Sequence, residues 1–367
     1  MKNTLGTGVS VTLFGESHGA AIGAVLDGMA PGIPVDEAFI ARQLSLRRPC
    51  GRISTARAEA DRFQIVSGVF EGRTTGTPLC ILVPNEDIRS RDYAATRALA
   101  RPGHADYTAY MKYHGFEDYR GGGHFSGRIT AALTAAGAVA LLALRGKRIA
   151  VGTHIARCGG VADREFSPDE ASDIAALNEK VFAVLDENAG ERMRDAIARA
   201  AEAGDSVGGV LETAVTGLPA GVGEPWFDTL EGLLAHGLFS IPGVKGVQFG
   251  GGFDLADAKG SQYNDPFYME NGAVRTRTNH NGGINGGISN GMPLRFRCAV
   301  KPTPSIYQAQ DTVDFLRGED ARLELKGRHD PAILHRARVV ADSVTALVLC
   351  DALAQRYGTD FLRGERP

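Results

Sequence analysis

Residues 9–26, VSVTLFGESHGAAIGAVL, admit two readings that lead to different folds. Gly15-Glu16-Ser17-His18-Gly19 matches the G-x-S-x-G elbow of serine hydrolases, which needs a strand, a tight turn and then a helix. The residues after the turn argue against that elbow. Segment 20–26 is short, has an internal glycine and runs into Asp27-Gly28, as a strand entering a turn does. The hydrolase partners would have to be Asp330 and His335, which fall on one predicted helix and point in different directions. Two strands are therefore expected, at 9–14 and 20–26. The polar turn between them is a rigid mount on which Ser17 and His18 serve as an acid or a phosphate contact. The plain alternative is a surface turn with a solvated histidine.

A helix is expected over 36–48, started by Pro34 and Asp36. Residues 63–70 and 78–83 are β-rich and flank EGRTTGT, which predicts a hairpin or meander. The second half repeats this grammar. GLPAGV (217–222), before an expected helix at 224–237, matches GMAPGI (28–33) before the first helix; GMPLRFRCAV (291–300) matches GTPLCILV (76–83). Two cues in the same order point to related halves, with coincidence in a chain of 47 glycines as the rival. Residues 163–205 are polar, helical and peripheral. A core helix is expected at 331–357, capped by Asp330 and started by Pro331. Strands and helices do not alternate one for one, so the class is α+β, with antiparallel sheets packed on helices.

The chain has 367 residues, enough for a sizeable core, with 43% apolar and 23% charged residues. Forty basic against 43 acidic residues speaks against a nucleic-acid binder. Five scattered cysteines without a C-x-x-C suit a reducing cytoplasm rather than a disulfide framework or a zinc site. No signal peptide or membrane span is expected. These features describe a soluble cytoplasmic enzyme.

The most telling chemistry is at 121–130, GGGHFSGRIT, which runs into an Ala/Leu-rich helix expected over 129–144. Three glycines strip side chains from a loop, and the helix behind it aims free N–H groups and its positive dipole end at that loop. Arg120 and Arg128 flank this anion site and could grip the same ligand; a flexible turn is the alternative. His104 lies in RPGHADYT (101–108) beside Arg101 and Asp106, placed as a general acid would be. Between 42 and 62 stand six arginines (Arg42, Arg47, Arg48, Arg52, Arg57, Arg62), no lysine and only Glu59 and Asp61 as acids. A solvated face is the bland reading, but arginines alone suit bidentate recognition of carboxylate and phosphate, hence a small polyanion. The Asn/Gly-rich run 275–291 could let backbone approach a flat ligand, and Lys301-Pro302-Thr303-Pro304-Ser305 could supply a cation and hydroxyls. Asp330, in GRHDP, reads by default as a helix cap.

In this order, GESHG, the arginine run, SGVFEGRTTGTP, RPGHADYT, DYRGGGHFSGR, GEPWFD, VKGVQFG, NHNGGINGGIS, KPTPS and GRHDP resemble the chorismate synthases, over about residues 7 to 350. The resemblance implies helices sandwiched between antiparallel sheets, one catalytic domain over 1–367, and usually a homotetramer. It implies a 1,4-elimination of phosphate from 5-enolpyruvylshikimate 3-phosphate, giving chorismate, the last common step of the shikimate pathway, with reduced FMN and no net redox change. By resemblance, His18 protonates the leaving phosphate, His104 manages flavin protonation, and Asp330 relays the ring proton by way of the flavin. Arg47, Arg52, Arg101, Arg128 and Arg328, with Ser17, are implied to bind the substrate anions. His124, Phe125, Ser126, Gly286, Lys301, Pro302, Thr303, Pro304, Ser305 and Arg328 are implied to hold FMN.

Departures are visible. The family commonly has Arg-Ser-Ser where this chain has His124-Phe125-Ser126, so His124 would substitute as donor there. The arginine loop after Pro49 is one residue shorter, which makes Arg52 an approximate equivalent. Pro242-Gly243 stands where Asn-Ala is common and receives no cofactor role, and no role is assigned to His329. Some members reduce their own flavin with NADPH. The matched motifs leave no spare domain here, so a monofunctional enzyme supplied by an external flavin reductase is expected. A serine hydrolase labelled at Ser17, or a non-catalytic flavin or phosphate binder, are the competing classes.

Overall fold

The computed structural model describes residues 2–49, 51–54, 60–86, 97–325 and 329–364, the side chain of Arg52 excepted. The first half comprises β1 (Thr4–Gly6), β2 (Ser10–Gly15), β3 (Ala21–Asp27), α1 (Glu37–Leu46), β4 (Gln64–Ser67), the two-residue strands β5 (Val69–Phe70) and β6 (Arg73–Thr74), and β7 (Leu79–Pro84). Next come α2 (Asp106–Tyr113) and α3 (Thr130–Gly146). The second half comprises β8 (Ala150–Cys158), β9 (Val161–Ala162), α4 (Glu170–Asn178), α5 (Glu187–Glu202), β10 (Gly209–Thr216), α6 (Leu230–Leu238) and β11 (Val244–Phe249). It continues through α7 (Gly260–Tyr263), hairpins β12 (Phe267–Glu270)/β13 (Ala273–Thr276) and β14 (Ile284–Asn285)/β15 (Ile288–Ser289), then β16 (Leu294–Val300). Hairpin β17 (Gln310–Asp314)/β18 (Glu319–Leu323) and α8 (Leu334–Tyr357) complete it.

Two five-stranded sheets, β1-β2-β3-β7-β4 and β11-β16-β10-β8-β9, pair antiparallel throughout. The strands at 9–14 and 20–26 are present as β2 and β3, so the turn holding Ser17 and His18 joins two strands and the elbow reading falls. The expected repeat is also present. The order β2-β3-β7-β4 in one sheet is matched by β8-β10-β16-β11 in the other. In each half the second strand leads to a helix, the next strand takes the sheet edge, and the last inserts between them. Each edge strand even carries a register shift, at Ile65/Ser67 and at Val244/Gly246.

α3 and α8 follow the two repeats and pack against each other between the sheets, α3 on β3 and β7, α8 on β8 and β10. Small residues permit that contact. A Cβ on Gly137 would lie 2.2 Å from Ser343 Cβ, and Ala135, Ala136, Ala138 and Ala140 around it are fully buried. Contrary to the sequence reading, Gly127–Gly146 is long and apolar enough to cross a membrane; 83% of its apolar window lies inside the protein, as expected for a core helix. Sheet two is covered on both faces: Leu211 and Val215 of β10 join the central core, whereas Ala214 packs with Phe166, Ile174 and Leu177 under α4.

Two helix starts differ from expectation. α6 begins at Leu230, not at 224, because Trp226–Asp228 form a single 3-10 turn and Thr229 Oγ1 caps Gly232 N at 3.0 Å. α8 begins at Leu334, so Asp330 is not its cap. The Pro331 carbonyl is taken by Val207 N at 2.8 Å, which holds the chain off the helix axis there.

Candidate active site

The glycines at 121–123 adopt φ values of +59°, +82° and +51°, where side chains are disfavoured. What they approach explains the requirement. A Cβ on Gly121 would lie 2.3 Å from His18 Cε1, and one on Gly122 would lie 3.2 Å from His104 Cε1. Consecutive glycines therefore press on two histidines that are far apart in sequence. Ser17 N donates to Gly123 O at 3.0 Å, and His124 Nδ1 donates to Gly15 O at 2.8 Å, lacing the β2–β3 turn to this loop. Asn85 Nδ2 braces the same turn through Glu16 O and Gly19 O, both at 2.9 Å. Ser17 and His18 are buried, and Ser17 Oγ has no hydrogen-bond partner among the described residues.

His104 is held from behind. Its Nδ1 lies 2.9 Å from Asp106 Oδ1, while Arg101 reaches the same carboxylate through Nε at 2.7 Å and Nη2 at 2.6 Å. Burial opposes ionisation of Asp106, yet the hydrogen bonds from Arg101 and His104 hold its carboxyl well below the usual range. An ionised Asp106 accepts Nδ1–H and leaves Nε2 toward Gly122. Arg120, expected to grip a ligand, instead makes a two-pronged contact to Asp118, at 2.8 and 2.7 Å. That partner lies two residues away, so the pairing costs little chain entropy.

Behind the glycine loop, Asp61 joins two arginines: Arg47 Nη2 lies 2.9 Å from Asp61 Oδ2, and Arg128 Nη1 pairs with Oδ1. All three side chains are buried. Burial works against the Asp61 charge, but Arg47 and Arg128 outweigh it and hold the carboxyl below its ordinary value. Arg336, in the first turn of α8, pairs with Asp330 and donates from Nε to Arg47 O at 2.8 Å. Among the described residues, three guanidiniums thus face two carboxylates in one chain of contacts.

Arg47, Asp330 and Arg336 border a cavity of about 880 Å³. Of the expected residues, Arg47, His104, Asp330 and the stretches 124–126 and 301–305 line it. Lys301 Nζ donates to Gly103 O, fastening 301–305 to the His104 loop. Ser17, His18, Arg101 and Arg128 are not among the lining residues: Ser17 and His18 stand against the glycine loop, Arg101 behind His104, and Arg128 behind Asp61. Gly286 lies at the tip of the β14/β15 hairpin and is not among the lining residues. Arg328 lies outside the described residues, as does the side chain of Arg52, whose backbone forms the turn Gly51–Ile53.

A family model for chorismate synthase matches residues 9–354. The chain belongs to the chorismate synthase family. It is 47% identical over 348 residues to the chorismate synthase of Thermococcus kodakarensis, covering 95% of this chain and 96% of that one. It is 45% identical over 359 residues to that of Dehalococcoides mccartyi, covering 98% of each. A crystal structure of chorismate synthase superposes with a TM-score of 0.77 at 28% identity, over 97% of this chain and 94% of the other. As a chorismate synthase, it eliminates phosphate from 5-enolpyruvylshikimate 3-phosphate to give chorismate, on the way to the aromatic amino acids.

Some features of this chorismate synthase were not singled out in the sequence. Asp61, read only as an acid diluting the arginine run, is the buried counter-charge that organises it. Arg336 and Asn85 carried no local signal, since each acts on groups remote in sequence. The Asn/Gly run 275–291 uses its glycines on its own chain: a Cβ on Gly282 would lie 2.6 Å from Gly250 N, and one on Gly283 would lie 2.4 Å from Pro293 O. Asp265 ties this run down through Thr278 Oγ1, His280 N and Asn281 N.

Proposed function

We propose that the elimination takes place in the 880 Å³ cavity, with reduced FMN bound beside the substrate. The observation that carries this reading is the placement of His18 and His104 on consecutive glycines, next to a buried Arg47–Asp61–Arg128 cluster. The cavity is within the size range of ligand and cofactor sites. Its residues suit a flavin. Val11, Leu13, Ile241, Val244 and Ile333 are among its lining residues and supply apolar surface for a flat ring. Lys301 offers a cation, and buried Thr303 Oγ1 has no partner among the described residues.

Reduced FMN, when bound, supplies the electron density that weakens the breaking carbon–oxygen bond. The protein's part is binding, orientation and proton handling. Arg47 and Arg128, with Arg52, Arg328 and Ser17, take the two carboxylates and the phosphate of the substrate. Their positive charge stabilises the negative charge that grows on the leaving phosphate. His18 donates a proton to that phosphate. His104, with Nδ1–H turned to Asp106, takes up and releases a proton at Nε2, and Arg101 acts through this pair as a positioning residue. Asp330 takes up the proton lost from the substrate ring. Residues 124–126 and 301–305, with Arg328, hold the cofactor in this cavity.

The enzyme works as a single catalytic unit in the cytoplasm and is monofunctional, with reduced flavin supplied by a separate reductase. A homotetramer is the proposed assembly. Trp226, Phe227 and Phe253, each more than four-fifths exposed, are apolar surface that such an assembly would cover. The test is anaerobic: 5-enolpyruvylshikimate 3-phosphate is mixed with dithionite-reduced FMN and inorganic phosphate is followed. Release with reduced and not with oxidised FMN is expected; no release with reduced FMN overturns the reading. Turnover in air with NADPH and catalytic FMN alone would overturn the monofunctional assignment.

A further inference from the structure

We propose that Arg336 is a positioning residue that fixes the proton acceptor Asp330 and the arginine segment 47–54 relative to each other. The inference rests on the proposed function for the role of Asp330, but its geometry stands apart. Arg336 lines the cavity from the first turn of α8 and makes two contacts with one guanidinium: Nη1 to Asp330 Oδ2, and Nε to the carbonyl of Arg47 at 2.8 Å. These partners lie in separate elements, Asp330 in the connection before α8 and Arg47 at the C-terminal cap of α1. The carbonyl at that cap has no helical donor available, so an outside N–H satisfies it.

The neighbouring side chain grips the far end of the same segment. His335 Nε2 lies 2.7 Å from Ser54 Oγ. Two consecutive residues of α8 therefore clamp the arginine segment at 47 and at 54. Arg47 continues the chain of contacts through Asp61 to Arg128. A planar guanidinium is needed for this task, because its fixed fork serves two acceptors at a set angle. A lysine ammonium at 336 can pair with Asp330 but does not hold that angle.

The experiment is a double-mutant cycle on kcat with Arg336→Met, Asp330→Asn and the pair, alongside hydrogen exchange of the ligand-free protein. Arg336→Met is expected to lower kcat by roughly 10²-fold, the cost of misplacing a reacting group by about an ångström, with KM changing much less. Added to Asp330→Asn it is expected to cost clearly less than it does alone, because the contact the two residues share is already lost and only the hold on the Arg47 carbonyl remains to be removed. Exchange across 44–54 is expected to accelerate, and Arg336→Lys to recover part of kcat but little of the exchange protection. If Arg336→Met does not fold, the cycle is run with Arg336→Lys. Wild-type kcat in the variant, or full additivity with Asp330→Asn, overturns the inference. An inactive wild type given reduced FMN overturns the functional reading instead, and unchanged exchange across 44–54 overturns the clamp alone.

Discussion

Arg47 Nη2 lies 2.9 Å from Asp61 Oδ2 with both side chains almost sealed from solvent, and Arg128 shares the same carboxylate. Removing the Asp61 charge takes from Arg47 and Arg128 the buried carboxylate they share. Asp61→Asn leaves two buried guanidiniums facing one another and is expected to cost about 3–5 kcal/mol. Urea unfolding near neutral pH measures it, and a loss below about 1 kcal/mol would contradict the role given to Asp61.

The glycine loop makes a sharper prediction, because it separates activity from stability. Gly121→Ala places a methyl 2.3 Å from His18 Cε1, so His18 must move. Turnover is expected to fall about 10²-fold or more, with the protein still folded. Gly137→Ala intrudes instead on Ser343 at the α3–α8 contact. That variant is expected to lose about 1–3 kcal/mol of stability while its folded fraction keeps wild-type kcat. The reverse pattern would mean that the loop serves packing and not the histidines.

His104 and Asp106 are coupled at 2.9 Å. His104→Ala is expected to cut kcat by about 10²-fold or more. Asp106→Asn keeps the side chain's shape but no longer fixes the imidazole tautomer, so it should produce a large part of the same loss. Steady-state rates at saturating substrate decide the point. Near wild-type turnover in His104→Ala removes this residue from the mechanism.

His335 gives a pH dependence of stability. Burial, then the nearby Arg336 charge, pull its imidazole down to about 4 from 6.5. The folded protein favours the neutral ring, so its contribution is complete above 6.5 and is lost as pH falls toward 4. The span corresponds to roughly 3 kcal/mol. Asp342, pushed up to about 6 by burial, slopes the opposite way, so wild type must be compared with a variant that keeps it. His335→Gln preserves a partner for Ser54 and should abolish the His335 component. Parallel stability curves for the two proteins between pH 6.5 and 4 would refute the assignment.

The parts of this fold that could be read in the sequence were local or repeated. The glycine inside 20–26 and the Asp27-Gly28 turn separate a strand from a helix, and the paired cues at 28–33 and 217–222 mark two halves with equivalent strand order. The Ala-rich core helix was legible too, although its apolar length alone does not distinguish a core from a membrane. What failed depended on distant partners. Asp330 looked like a cap until Val207 claimed the Pro331 carbonyl, and Arg120 looked free until Asp118 closed on it. The Gly-rich run 275–291 suggests close approach to a ligand; at Gly282 the close approach is to the backbone of Gly250. Within the site, motif residues were visible one by one; the buried carboxylate between Arg47 and Arg128 was not, because nothing in 42–62 says which acid turns inward.

The claim that His18, His104 and the arginine cluster act on one bound substrate–flavin pair is tested most directly by a crystal structure with 5-enolpyruvylshikimate 3-phosphate and FMN bound together. The account predicts the substrate phosphate within hydrogen-bond reach of His18, the substrate anions on Arg47 and Arg128, and the flavin between His104 and residues 301–305. Substrate or flavin bound elsewhere, with His18 and His104 touching neither, would contradict it.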